Sequence, residues 1–324
     1  MAARARLLAA TLALSLAAAR LAEGADAPLS SLPAGESSGL LPIVTTTTDL
    51  KALVEAIGGD RVAVDSLAPP YHDPHAIDVK PGQIVRLRGA ALLVRIGLDH
   101  EPWLRRVLTT IGDPALAPGG RRDLDLSRGV ALLQTETPRL RDDRATPHLH
   151  GLGNPHYWLD PENARPMAAG IAAALGRLRP DARAYFDERR RRFLASLDTG
   201  LLRWRAALAP HRGARLVAVH DTWAYFAARF GLTVVATVEP HPGVPPSPAA
   251  LAALVERMRA TGVRVLVAEP YASAALVRQI AGATGARAVT LVPSVGGERG
   301  ADDYLALFDL NVARLAEALA AAAT

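Results

Sequence analysis

Apolar and polar residues change period repeatedly along the chain, and the changes predict alternating strands and helices. Residues 41–45 are a short, apolar, β-branched run and predict a strand. Residues 50–57 carry apolar positions at helical spacing and end on Gly58-Gly59. Residues 62–67 alternate as a half-buried strand does. Pro69-Pro70 then breaks the pattern and leaves Tyr71-His72-Asp73-Pro74-His75 as a loop. A helix is expected over 81–88, a buried strand over 92–96 and a further strand over 129–133. Strands that alternate with helices imply a parallel sheet covered on both faces. In such sheets ligands sit beyond the carboxyl ends of the strands, where His75 falls.

The second half repeats the pattern. Pro180-Asp181 opens a helix that runs without a break to about Leu208, with Tyr185, Phe193, Leu197, Leu201, Trp204 and Leu208 at helical spacing. Its other side carries Asp187, Glu188 and four arginines at 189–192, with opposite charges three and four apart, which reads as a solvated face. Such a helix is roughly 40 Å long, more than one small lobe requires, and suits a strut between two lobes. Strands are expected at 215–219, 233–238, 263–268 and 288–292. Helices are expected at 222–230, 248–261, 273–284 and 303–321. His220 and Glu269 both follow the carboxyl end of a strand. The fold class expected is therefore α/β: two lobes, each a parallel sheet flanked by helices, joined by one long rigid helix.

Composition narrows the setting. The chain has 324 residues, half of them hydrophobic, with no cysteine and a formal charge of +5. The lack of cysteine excludes disulfides, thiolate metal sites, cysteine nucleophiles and a lipidated cysteine. The mild, scattered basic excess gives no ground for a nucleic-acid partner. Arg4 and Arg6, then an apolar stretch over 7–19 and small residues ending near Glu23-Gly24-Ala25, read as a cleavable export signal. No later stretch approaches the ~20 apolar residues of a spanning helix. The expected organisation is a signal peptide at 1–25, a flexible Ser/Gly/Pro-rich lead-in at 26–40, an N-terminal lobe at 41–179, a linking helix at 180–209 and a C-terminal lobe at 210–324. The mature protein is expected in a periplasm, as a monomer.

The chemistry centres on Asn154-Pro155-His156-Tyr157-Trp158-Leu159-Asp160-Pro161. Asp160 suits an N-cap and Pro161 a first helical position, so a helix starts here. His156 then sits on the preceding loop, held between a proline and two large aromatics. With His75 and His220 it forms a set of three imidazoles, from distant parts of the chain, able to hold one divalent ion. Asp221 and Asp160 are possible acceptors for the far ring nitrogens. His72 and His100 lie near enough to add to the set. His148 and His150, on the polar loop over 134–153, either collect ions weakly or are solvated loop residues. His211 and His241 read as turn residues.

These segments resemble the zinc/manganese-binding receptors of ABC importers, the cluster that includes ZnuA and TroA. The resemblance covers about 41 to 319. It is carried by Asp73-Pro74-His75 before Lys80-Pro81, the 154–161 segment, His220-Asp221 with Tyr225-Phe226 and Phe230-Gly231, Glu239 with Pro245-Pro246-Ser247-Pro248, and Glu269-Pro270. It implies two lobes, the ion between them, small closure on binding, and release to a permease of the inner membrane. The family's first three ligand positions fall on His75, His156 and His220. Histidine at the third favours Zn2+ over Mn2+, because manganese prefers carboxylate-rich sites. The aspartate that the family places after its last strand is missing: the segment here reads Thr290-Leu291-Val292-Pro293-Ser294. Glu269 is the first candidate for the fourth ligand, then Asp302, Asp303 and Glu239, or water; Glu269 reads equally as a structural acid at the lobe interface. A secreted adhesin or structural protein that uses zinc only for stability is one rival reading, and two more remain. One is a secreted zinc hydrolase, since three histidines and an open position also describe a catalytic site; however, there is no HExxH helix, and the Gly-x-Ser-x-Gly match at Gly35–Gly39 lies in the Ser/Gly/Pro-rich lead-in and not on a strand-to-helix elbow. The other is a receptor of the same fold for manganese or iron.

Overall fold

The structure is a computed structural model that describes residues 39–134, 153–239 and 244–323. The signal segment, most of the lead-in, His148, His150 and His241 lie outside these residues. Two four-stranded sheets are present, all neighbours parallel. The first is built from β1 (Leu41–Thr45), β2 (Val62–Ser66), β3 (Leu92–Arg95) and β4 (Asp123–Asp125), in the order β2-β1-β3-β4. The second, from β5 (Arg215–Ala218), β6 (Thr233–Thr237), β7 (Val265–Ala268) and β8 (Arg287–Thr290), has the equivalent order β6-β5-β7-β8. In each lobe the order reverses between the first and third strands, so the ligand crevices lie beyond β1/β3 and β5/β7. His220 follows β5 and Glu269 follows β7.

The helices that cover the first sheet are α1 (Thr48–Gly58), α2 (Pro81–Gly89), α3 (Leu104–Ile111) and α4 (Ala164–Leu178). The strut is α5 (Arg183–Leu208), 26 residues and hence about 39 Å. The second lobe adds α6 (Ala224–Phe230), α7 (Pro248–Thr261), α8 (Ala274–Thr284) and α9 (Tyr304–Ala323). Among the described residues, no helix is long and apolar enough to cross a membrane. Phe193, Leu197, Leu201, Trp204 and Leu208 of α5 are buried as their spacing predicts. Tyr185 is only half-buried; its hydroxyl donates to Asp60 Oδ1 at 2.6 Å, and Phe186 takes the core position instead. Arg191 and Arg192 are exposed and donate to Glu188, whereas Arg189 of the same run is part-buried and donates to Ala56 O at 2.9 Å.

Two details depart from the sequence reading. Residues 129–133 form no strand. Gly129 has φ 93°, Val130 N donates back to Ser127 O, and Leu133 N donates to Tyr225 Oη of the other lobe, so the backbone crosses between lobes instead of pairing in a sheet. The edge position goes to β4, Asp-Leu-Asp, whose acids face Arg95 of β3 at 2.7 and 3.0 Å. An apolar-run criterion passes over a strand held by ion pairs. The unanticipated α3 has Leu104, Val107, Leu108 and Ile111 on its packed side, an amphipathic spacing short enough to escape notice.

The lobes share one continuous hydrophobic core, from Ile43 and Leu53 through Trp158, Met167 and Trp204 to Phe226, Leu291 and Phe308. Direct bonds cross it as well. Trp158 Nε1 donates to Pro293 O at 3.0 Å, Tyr304 Oη to Trp158 O at 2.6 Å, and Val295 N to Asp49 Oδ1 at 2.9 Å. Opening the lobes widely would expose this core, so the architecture permits only small closure.

Candidate metal centre

The loop after β2 delivers His75. Asp73 Oδ1 accepts from His75 N at 2.9 Å, and the Trp103 indole donates to Pro74 O at 2.9 Å. The ring's Nδ1 lies 3.0 Å from His100 O, and its Nε2 points at Nε2 of His156, 3.2 Å away. His156 is buried just before the helical turn of Pro161–Asn163, which Asp160 caps by accepting from Glu162 N at 2.9 Å. That turn is 3-10 and continues into α4. Asn154 Oδ1 accepts from His156 N at 2.9 Å and lies 2.9 Å from His156 Nδ1.

These partners fix the tautomers. A carbonyl oxygen only accepts, so Nδ1 of both rings carries the hydrogen, and in the neutral rings both Nε2 atoms present lone pairs. The amide of Asn154 cannot be turned over, because its Nδ2 donates to Asp221 O, Asp221 Oδ2 and Gln134 Oε1. Two lone pairs therefore face each other at 3.2 Å. Between two neutral rings that arrangement is repulsive until a proton or a metal ion lies between them. Two imidazoles on one tetrahedral zinc ion hold their donor nitrogens about 3.3 Å apart and their ring centres about 5 Å apart.

The other imidazoles fit the same measure. The His220 ring centre, from the second lobe, is 5.3 Å from that of His156 and 5.7 Å from that of His75. His75 and His156 are 5.2 Å apart by the same measure. His100, fully buried, lies 4.4 Å from His75 and 5.7 Å from His156. Among the described residues, His75, His100 and His156 are the group whose donor atoms all lie within 4.8 Å of one another; the predicted ligand His220 is not in it.

The acids stand further back. Glu269 is buried; its Oε1 accepts from Trp223 Nε1 at 2.8 Å, its Oε2 has no hydrogen-bond partner among the described residues, and burial pushes its carboxyl up to about 7. It is not in the 4.8 Å group. Asp303 Oδ1 caps α9, accepting from Leu305 N and Ala306 N, and Asp302 is exposed. Glu239 is half-buried beside the start of the β6–α7 turn. After the last strand, where the resemblance leads one to expect an aspartate, Val292 and Pro293 offer no side-chain donor; their backbone is taken by Asn311 and Trp158. Asp160 pairs with Arg229 at 2.6 Å and Asp221 reaches His156 only through Asn154, so the acceptor behind His156 is an amide and not an acid. Burial raises the Asp221 carboxyl, against the hydrogen bonds from Gln134 and Asn154. His72 lies on the surface against Tyr71, and His211 ends the turn after α5. The part of Asn154 was readable in principle, since an amide two residues before a ligand histidine can close this ring. His100 lacked any local signal beyond its type.

Two parallel-sheet lobes on a helical strut, with imidazoles from both meeting in the crevice, define a metal-binding solute receptor. The chain belongs to the ZnuA family, described as the periplasmic component A of the zinc-uptake complex, which its residues 43–318 match. It is 27% identical over 253 residues to the high-affinity zinc uptake system protein ZnuA of Paracoccus denitrificans, covering 68% of this chain and 73% of that one. To the protein of the same description from Yersinia pestis it is 25% identical over 268 residues, covering 79% and 83%. A crystal structure of ZnuA superposes with a TM-score of 0.71 at 26% identity, over 87% of this chain and all of that one. These relatives are metal-binding transport proteins, so this chain is a metal-binding component of uptake and not an enzyme.

Proposed function

We propose that the protein captures a divalent transition ion outside the cytoplasm, zinc foremost, through His75, His156 and His220, and delivers it as a monomer to an ABC permease in the inner membrane. The observation that carries this is the pair of Nε2 atoms held face to face at 3.2 Å, with an oxygen acceptor on each far nitrogen. Such an arrangement is built for a cation. Imidazole donors suit zinc, whereas manganese prefers carboxylate and carbonyl oxygen. The zinc uptake proteins named above support the same ion.

Capture follows from the geometry. His75 and His156 belong to one lobe and His220 to the other, so a bound ion bridges the crevice and stabilises the closed arrangement. The shared core keeps the movement small. The domain limits read from the sequence support this division, with the strut at 180–209 between lobes 41–179 and 210–324. Residues 1–25 act as the export signal in this reading.

Calorimetry of the metal-free protein tests it. Zinc binds at one equivalent and manganese at least about a hundredfold more weakly, as the affinity order for nitrogen sites demands. Manganese binding as tight as zinc would favour the manganese-receptor alternative. Failure of either ion to bind stoichiometrically would remove the capture reading.

A further inference from the structure

We infer that His100 is the fourth ligand, so that the ion is held by imidazoles alone and no carboxylate. This deepens the three-histidine reading and rests on it. After the last strand, Val292 and Pro293 offer no side-chain donor to an ion in the crevice. What the structure brings to the donor cluster instead is His100, fully buried and one of the group whose ligand atoms lie within 4.8 Å.

The backbone is arranged to put it there. After β3 the chain passes through three consecutive left-handed residues, Gly97 at φ 80°, Leu98 at 57° and Asp99 at 56°. Left-handed conformations are unfavourable at Leu and Asp, and such strain persists only where the surroundings over-determine it. Here they do. The buried Glu101 carboxylate accepts from Ile96 N at 2.7 Å, from Thr46 Oγ1 at 2.6 Å and from Gly97 N at 3.1 Å. His100 N closes the turn on Gly97 O at 3.0 Å. Gly97 admits no side chain, since a Cβ would meet Asp125 Oδ1. The turn's product is the position of one residue. His100 O accepts from His75 Nδ1, and its ring stands edge-on to Trp158 at 5.0 Å, which limits its rotation.

The consequence is selectivity. Four neutral imidazoles leave the ion's charge unneutralised by its ligands and give manganese none of the oxygen it prefers. The site then discriminates by nitrogen affinity alone, which rises from manganese to copper and stays high at zinc.

Zinc-edge X-ray absorption of the zinc-loaded protein, together with chelator competition for zinc and manganese, tests this. The wild type should show four imidazoles at about 2.0–2.1 Å and no carboxylate oxygen. His100→Ala should lower the imidazole count to three and weaken zinc by tenfold or more. His100→Asp should restore a fourth donor and narrow the zinc-to-manganese ratio. Three imidazoles and an oxygen in the wild type would overturn the inference. So would a Glu269→Gln variant that loses the fourth donor while His100→Ala keeps it. His156→Ala separates the two levels. If it binds zinc as the wild type does, the three-histidine reading fails as well; if it loses zinc while His100→Ala does not, only the assignment of His100 fails. The wild-type spectrum decides the count even if a variant fails to fold.

Discussion

Asn154 makes no contact with the cargo in this account, yet its removal should weaken binding sharply. Its Oδ1 accepts both His156 N and His156 Nδ1–H, while its Nδ2 ties the segment to Asp221 and Gln134. Asn154→Ala leaves the His156 ring without the partner that fixes its tautomer and rotation. A buried donor left unsatisfied costs about 1–3 kcal/mol. Partners behind a metal-ligating histidine typically contribute 10–100-fold to affinity, about 1.4–2.8 kcal/mol, which agrees. The assay is zinc competition against a chromophoric chelator at pH 7.5, with urea unfolding of the metal-free variant alongside. Zinc affinity should fall 10–100-fold while unfolding stays cooperative. A change below threefold in a folded variant would refute the reasoning, because it would mean that the ring's orientation owes nothing to the amide.

Other outcomes follow from the same geometry. His156→Ala should cut zinc affinity by three orders of magnitude or more without unfolding the chain, as read by calorimetry and circular dichroism. Zinc affinity should fall as pH drops below the ordinary imidazole range, about 6 to 6.5, because a ligating ring must be neutral; a flat profile from pH 8 to 5 would exclude histidine ligation. Asp49 tests the interface. It is fully buried, accepts from Val295 N across the lobes, and burial raises its carboxyl to about 7. A folded-state value above the unfolded one means that the protonated form is favoured, so this contribution is fully present below about pH 3.8 and lost as pH rises through about 7. Asp49→Asn keeps the acceptor and removes the charge, and should gain stability at pH 8 relative to pH 5, by at most about 2.7 kcal/mol, the two units between pH 5 and about 7. Urea titrations of metal-free protein at both pH values would show this; equal shifts at the two would contradict it.

Much of the architecture was legible because the strands of both sheets, apart from β4, are apolar runs bounded by Gly, Pro or polar turns. β4 was hidden because its stability lies in Arg95 pairing with Asp123 and Asp125, a contact between residues 28 and 30 apart that no local window contains. The site was half legible for the same reason. His75, His156 and His220 sit in short motifs with recognisable neighbours. His100 sits in Gly97-Leu98-Asp99-His100, where nothing in residue type announces a left-handed turn at Leu98 or the Glu101 carboxylate that holds it. Glu269 drew notice as an acid at a strand end, and only the fold reveals that Trp223 occupies one of its oxygens.

Anomalous diffraction at the zinc edge from zinc-loaded crystals tests the central claim most directly. The account predicts one strong peak in the crevice, within bonding distance of Nε2 of His75 and His156 and of the His220 ring. A peak elsewhere, or an empty crevice in crystals grown with stoichiometric zinc, would contradict it.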